Sequence, residues 1–257
     1  MSPDISASAS ATGAVSTSLA NDGYAGPFHL GSAAQMALVA LQLFKSVFAR
    51  PGPMGDDPFV DRHLDSPLVA HLCTHPAIIA HVEPVLGADL VVWRSIFFAK
   101  GPNSMEVPWH QDGHFWDLDP PVTLTAWLAI DRAHSVDQCL EVIPGSHKEA
   151  LPHVPSSPGS QFPQMADPRA FDITRAIELP MDAGMFVLFD QRLVHHSRAG
   201  GQGRRLALSV RIAPAYVKIP PSLLPAGDRV LPTGWRSIAE TPADASRPAP
   251  SPVRLPE

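Results

Sequence analysis

From Asp89 to Pro214 the chain breaks into short segments rich in β-branched and aromatic residues: "DLVVWRSIFFAK", "VTLTAWLAID", "CLEVI", "ITRAIEL", "GMFVLFD" and "RRLALSVRIAP". Turn clusters such as "GPNS", "PGS" and "AGGQG" separate them, the pattern of a many-stranded β domain. In "VTLTAWLAID", side chains alternate across the pleat. Val122, Leu124, Ala126, Leu128 and Ile130 take one face, and Thr123, Thr125, Trp127, Ala129 and Asp131 the other. Such a strand suits a barrel wall with a hydrated pocket on its polar side and helices against its apolar side.

The helices come first. "AAQMALVALQLFKSVFAR" puts Met36, Val39, Ala40, Leu43, Phe44, Val47 and Phe48 on one helical stripe. "PGPMGDDPFVD" breaks it, and a further helical pair is predicted over Ser66–Cys73 and His75–Leu86, the second ended by Gly87. Helices followed by strands predict a mainly β fold with flanking helices, a sandwich or barrel packed on one face. Residues 1–20 read as a disordered Ser/Ala tail, residues 21–219 as one domain, and residues 220–257 as a Pro-rich extension. The Pro/Ser-rich stretch 149–171 has little periodicity, which predicts either a lid or a disordered insertion.

Composition excludes several function classes. A formal charge of -6 and no Lys/Arg block argue against nucleic-acid binding, and no apolar run is long enough to span a bilayer. Cys73 and Cys139 are too few for a disulfide framework or a zinc-thiolate site. With no secretory signal pattern at the start, a reducing, cytoplasmic location is the expectation.

"WHQDGHFWDLDPP", from Trp109 to Pro121, carries the densest chemistry. In extended backbone, His110 and Asp112 project to the same side and could reach one cation, and Asp112-Gly113-His114 fits the same spacing. One nitrogen and one oxygen donor, joined by a distant histidine, make the facial triad of non-haem Fe(II) sites. The distal candidates are His195 and His196 in "DQRLVHHSRAGGQGRR", beside Ser197 and ahead of Arg204 and Arg205. A metal followed within one hairpin by an arginine is what a dicarboxylate needs: chelation at one end, a bidentate guanidinium at the other.

"WHQDGHFWDLDPPVTLTAWLAID", "CLEVIPGSHK", "LVHHS" and "RRLALSVRIAP", in that order, resemble the phytanoyl-CoA dioxygenase family of Fe(II)/2-oxoglutarate-dependent oxygenases. The resemblance runs from about Gly23 to Pro214. "GYAGPF" at Gly23–Phe28 also resembles bacterial specialised-metabolism members, carrier-protein halogenases included. What it implies is a double-stranded β-helix, the cupin-like jelly roll, with His110, Asp112 and His195 as iron ligands. His195 is preferred over His196 because the family's distal ligand has a serine two residues later. Ser197 would then help hold 2-oxoglutarate, and Thr125 or Trp127 would line the same pocket. The family's arginine precedes a run like "LALSVR", which selects Arg205. Strand alternation agrees, since Arg205, Ala207 and Ser209 share the small-and-polar face while Arg204 would fall on the apolar side or at the strand end.

The implied reaction consumes O2 and 2-oxoglutarate, releases succinate and CO2, and hydroxylates an unactivated C–H of a small metabolite, such as an amino-acid derivative or another specialised product. Desaturation, epoxidation and ring closure share the same ligand set. Halogenases of this type replace the triad aspartate with Gly or Ala, so Asp112 argues against halogenation. Two further classes are an oxygen-independent cupin-like metal enzyme and a non-catalytic binding protein. His114 and His147 are expected in loop and turn roles, Asp117 and Asp119 as surface carboxylates, and Phe115 and Trp116 as pocket walls or packing anchors.

Overall fold

A computed structural model of the chain describes residues 5–134, 139–200 and 203–224, with side chains from residue 13 onward. Four helices precede the sheets: α1 (Ile5–Asp22), α2 (Ala33–Gln42), α3 (Pro67–Cys73) and α4 (Pro76–Leu86). Helix α1 corrects the expectation of a disordered tail over residues 5–20; residues 1–4 lie outside the described residues. Val15 and Leu19, one turn apart, are buried where α1 meets α4 and the first strand, Tyr24–His29.

Local sequence sets the other helix ends. Ser32 and Gln35 form a reciprocal capping box at α2, with Gln35 Oε1 accepting from Ser32 N at 2.9 Å. Ser66 caps α3 ahead of Pro67, and His75 Nδ1 accepts from Ala77 N at the start of α4, which Gly87 terminates. Helix α2 passes into a π-helical turn over Leu43–Val47. That turn rotates the apolar stripe, so Met36, Val39, Ala40, Leu43 and Val47 are buried while Phe44 is 39% exposed. The predicted stripe is therefore corrected at Phe44, whose ring instead lies 4.8 Å below the Arg204 guanidinium.

The strands are β1 (Tyr24–His29), β2 (Leu90–Lys100), β3 (Val107–His110), β4 (Leu124–Ala129), β5 (Leu140–Val142), β6 (His153–Pro155), β7 (Gln164–Ala166), β8 (Ile177–Leu179), β9 (Met185–Asp190), β10 (His195–Ser197) and β11 (Arg205–Pro214). "ITRAIEL" is strand only in its second half; Ile173–Arg175 form a 3-10 turn capped by Asp172. A larger sheet runs β1-β9-β4-β11-β2 and a smaller one β3-β10-β5-β8, with antiparallel pairing throughout both. From β2 to β5, and again from β8 to β11, successive strands alternate between the two sheets. That path is a double-stranded β-helix, or jelly roll.

The alternation in the sequence determines which core each residue joins. Leu124, Ala126 and Leu128 of β4 and Leu206, Leu208 and Val210 of β11 pack under the helices with Met36, Val39 and Leu72. Trp127, Ala129 and Ala207 point the other way, into the space between the sheets with Leu140, Val187 and Phe189. Each fully buried aliphatic or aromatic side chain contributes roughly 1.5–3 kcal/mol of transfer free energy.

The 149–171 stretch is ordered rather than a disordered insertion, because β6 and β7 pair as a ribbon, His153 opposite Ala166 and Pro155 opposite Gln164. At the other end, Pro221–Leu223 form a 3-10 turn whose Leu223 carbonyl accepts from Arg94. The rest of the predicted Pro-rich extension, from residue 225, lies outside the described residues. Cys73 and Cys139 are both buried and free, and no described helix is long and apolar enough to cross a membrane.

Gly184, which leads into β9, has φ +88, and a Cβ there would stand 2.1 Å from the Gly31 carbonyl oxygen. Gly184→Ala combines a left-handed backbone with a backbone collision, so we expect a loss of about 2–4 kcal/mol. Calorimetric melting should show a Tm roughly 5–10 °C lower; an unchanged Tm would mean that this turn is not packed as described.

Candidate metal centre and dicarboxylate pocket

Strand β3 ends on His110, and its neighbour β10 begins on His195, which is the register partner of His110 across the small sheet. Each ring is fixed in the same way. His110 Nδ1 donates to the Pro108 carbonyl at 2.8 Å and His195 Nδ1 to the Leu193 carbonyl at 2.9 Å. With Nδ1 carrying the proton, both Nε2 lone pairs are free to face inward as ligands.

Gln111 stays extended (φ -109, ψ 124), so Asp112, the first residue of a 3-10 turn, projects to the same side as His110. Asp112 Oδ1 lies 3.4 Å from His110 Nε2 and 4.0 Å from His195 Nε2. The three ligand atoms are all within 4.8 Å of one another, and all three residues are buried. Donors about 2.1 Å from one ion and at right angles to each other would be about 3 Å apart, so the cluster needs little closure to hold a divalent cation.

The electrostatics favour the ligating protonation states. Burial alone would push the Asp112 carboxyl up. The adjacent Arg211 guanidinium and the two histidines outweigh it and hold the carboxyl well below the usual carboxylate range. Burial, reinforced by His110, pushes His195 down to about 3, so its imidazole is neutral at physiological pH. Thr125 Oγ1 donates to Asp112 Oδ2 at 3.3 Å, fixing that carboxylate.

The cleft beside this cluster is lined by His110, His195, Trp127, Ser197, Arg205 and Arg211, among others. Arg205 is 1% exposed, and its Cζ lies 5.1 Å over the Trp127 ring. Its Nε and Nη2, the two donors that form the bidentate edge, have no hydrogen-bond partner among the described residues. Burial lowers its pKa to about 10, so it remains charged at neutral pH. Arg204 is turned outward, bonded to Asp131 at 3.1 Å. The two arginines thus part as the strand phase requires.

The remaining sequence candidates separate clearly. His196 also lines the cleft but is not part of the three-residue cluster; it is stacked on Trp109 at 4.7 Å and lies 3.7 Å from both Glu106 and Glu141. His114 is exposed; it bonds Gln164 at 2.8 Å and stacks on His153 at 3.8 Å. His147 sits in a 3-10 turn, and Asp117 and Asp119 are exposed. Phe115 lies against His110, and Trp116 packs edge-on to Trp93 at 4.9 Å.

Sequence reasoning missed three residues at the site. Lys100, the cross-strand partner of Arg205, is buried and donates to the Ser197 carbonyl at 2.9 Å; burial and the Arg205 charge push its pKa down to about 7. Phe162 presents its edge to His110 at 4.8 Å. Arg211 reaches Asp112 at 3.4 Å. The signal for Arg211 was present, because it shares the strand face of Arg205 and Ser209.

A jelly roll whose small sheet and the turn after β3 bring two histidines and a carboxylate to one buried point, with a buried guanidinium in the same cleft, offers the donor set of a two-histidine, one-carboxylate metal site. Residues 50–206 match the family model described as "Phytanoyl-CoA dioxygenase (PhyH)", which covers more than half of the chain. The chain belongs to the phytanoyl-CoA dioxygenase family. It is 32% identical over 152 residues to the peroxisomal phytanoyl-CoA dioxygenase of Bos taurus, 56% of this chain and 45% of that one. It therefore spans about half the length of the curated relatives it matches. Among solved structures, the apo non-heme monooxygenase ThoJ superposes with a TM-score of 0.70 at 21% identity, covering 80% of this chain and 79% of that one. The epimerase SnoN, solved with Fe3+, alpha ketoglutarate and nogalamycin RO, gives 0.68 at 22% identity, covering 87% and 93%. At these identities the likeness is one of fold.

Proposed function

We propose that this protein is an Fe(II)/2-oxoglutarate-dependent dioxygenase that hydroxylates an unactivated C–H of a small specialised metabolite, releasing succinate and CO2. The observation that carries the reading is the pairing of the His110, Asp112 and His195 donors with the buried Arg205, whose Nε and Nη2 have no hydrogen-bond partner among the described residues, in one cleft. Two nitrogens and one oxygen suit Fe(II) and leave coordination positions for a chelating keto acid and O2. A buried guanidinium with its bidentate edge free is incomplete without an oxyanion, and the far carboxylate of 2-oxoglutarate is of that kind. An oxygen-independent cupin enzyme would have no use for Arg205.

In this reading the bound iron supplies the oxidising chemistry, and the protein supplies position and dryness. His110 and His195 hold the metal through Nε2, and Asp112, steadied by Thr125, completes the triad. Arg205, backed by Trp127, anchors the co-substrate with help from Ser197. The 149–171 segment covers the site, with Phe162 against His110 and Gln164 against His114. The described elements from α1 through β11 form the catalytic unit, and two buried free thiols suit the cytoplasm.

Anaerobic addition of Fe(II) and 2-oxoglutarate should give a visible metal-to-ligand charge-transfer band that needs both components. A spectrum equal to the sum of its parts contradicts the assignment.

A further inference from the structure

We propose that Arg211 is a second carboxylate-binding residue, placed beside the metal cluster on the side away from Arg205, and that it anchors an acidic substrate. This rests on the function proposed above. Arg211 is 3% exposed and lines the same cleft. Its Nη2 reaches both Asp112 oxygens at 3.4 Å, whereas its Nε and Nη1 have no partner among the described residues. Nη1 shares its carbon with the nitrogen that reaches Asp112, so an oxyanion bound there would sit next to the cluster. The Trp116 ring, 5.2 Å from the guanidinium carbon and itself packed on Trp93, holds the group in place.

Neighbouring charges point to an anion rather than a neutral group. Arg94, the cross-strand partner of Arg211, is matched by Asp61 at 3.3 Å. Among the described residues Asp112 is the one carboxylate that hydrogen-bonds Arg211, while Asp61, already engaged by Arg94, acts on it at longer range; a bound divalent metal would draw on that same Asp112 carboxylate. With the metal, Arg205 and Arg211 counted against Asp112 and the two carboxylates of 2-oxoglutarate, one buried positive charge is left unmatched. Buried charges persist when paired, and a substrate carboxylate supplies the missing one. The strand places Arg205 and Arg211 six residues apart, roughly 20 Å along the backbone, so their side chains approach the cluster from opposite ends. A substrate held at Arg211 would present its neighbouring C–H groups to the metal without displacing the co-substrate. The same chemistry could instead be the metal-proximal carboxylate of 2-oxoglutarate, and the test separates the two sources.

The test uses the full chain loaded with redox-inert Zn(II), comparing wild type with Arg211→Gln and Arg211→Lys after circular dichroism has established their fold. Calorimetry reads 2-oxoglutarate affinity. Fluorine NMR line broadening reads binding of trifluoroacetate against neutral trifluoroacetamide, with and without 2-oxoglutarate. A substrate site predicts that Arg211→Gln leaves 2-oxoglutarate affinity within about twofold while reducing trifluoroacetate broadening at least fivefold. The lysine variant, which keeps the charge but loses the free donors, should fall between them. A tenfold or greater loss of 2-oxoglutarate affinity also supports a carboxylate at Arg211 but assigns it to the co-substrate. If neither ligand distinguishes the folded variants from wild type, the proposal is overturned. A wild type that fails to bind 2-oxoglutarate at all would instead sink the functional reading, and the trifluoroacetate arm would still decide the role of Arg211.

Discussion

Asp112→Ala should weaken divalent-metal binding by about 100-fold or more and abolish succinate formation. Asp112 is the only carboxylate of the cluster and is 3% exposed, so no neighbour can replace its charge. Its loss leaves two imidazole nitrogens facing the cation and removes the one carboxylate that hydrogen-bonds Arg211 among the described residues. A positive guanidinium would then stand unmatched beside the site meant for another positive charge. Changes to groups that merely orient metal ligands typically cost 10–100-fold in affinity, and removing the anionic ligand itself should cost more. Titration with Fe(II) or Co(II) under anaerobic conditions reads the first effect, and succinate release reads the second. Metal affinity within a few-fold of wild type would remove Asp112 from the triad.

The second large effect belongs to Arg205. Arg205→Gln should weaken 2-oxoglutarate binding by roughly 2–4 kcal/mol, about 30–1,000-fold, the range for removing one partner of a buried, hydrogen-bonded charge pair. Metal affinity without the co-substrate should stay near wild type, since Arg205 contacts none of the three ligands. Arg204→Gln is the internal control. Its side chain is exposed and bonded to Asp131, so 2-oxoglutarate affinity should change by no more than about twofold. Calorimetry on the Zn(II) form gives all of these values, and equal losses in the two variants would mean that the cleft is not where the dicarboxylate binds.

Much of the site was legible because two-residue periodicity is rigid. Once "RRLALSVR" is a strand, Arg205 and Arg204 must face opposite ways, and Leu206, Leu208 and Val210 must share the helix-covered side. The same periodicity put Trp127 on the pocket wall. The opposition of His110 and His195 was not readable from spacing, because it depends on the register of strands 85 positions apart, and only the resemblance to a family pointed to it.

Where the reading failed, local composition competed with tertiary contact. The Ser/Ala run at the start has the composition of a disordered tail, yet Val15 and Leu19 suffice to seat it as a helix. Phe44 left its stripe because one π turn shifts every later residue, an irregularity without a sequence rule. The Pro/Ser-rich 149–171 segment has no periodicity of its own. Its order comes from pairing within a ribbon and from Gln111, whose side chain bonds the Glu149 carbonyl and the Leu151 N–H, each at 2.8 Å.

The most direct test is a structure of crystals grown anaerobically with Mn(II) and 2-oxoglutarate, located by anomalous scattering. The account predicts a single anomalous peak about 2.0–2.2 Å from His110 Nε2, His195 Nε2 and an Asp112 oxygen, with the dicarboxylate chelating the metal and its far carboxylate on the Nε–Nη2 edge of Arg205. A peak ligated by other residues, or a dicarboxylate turned away from Arg205, would contradict it.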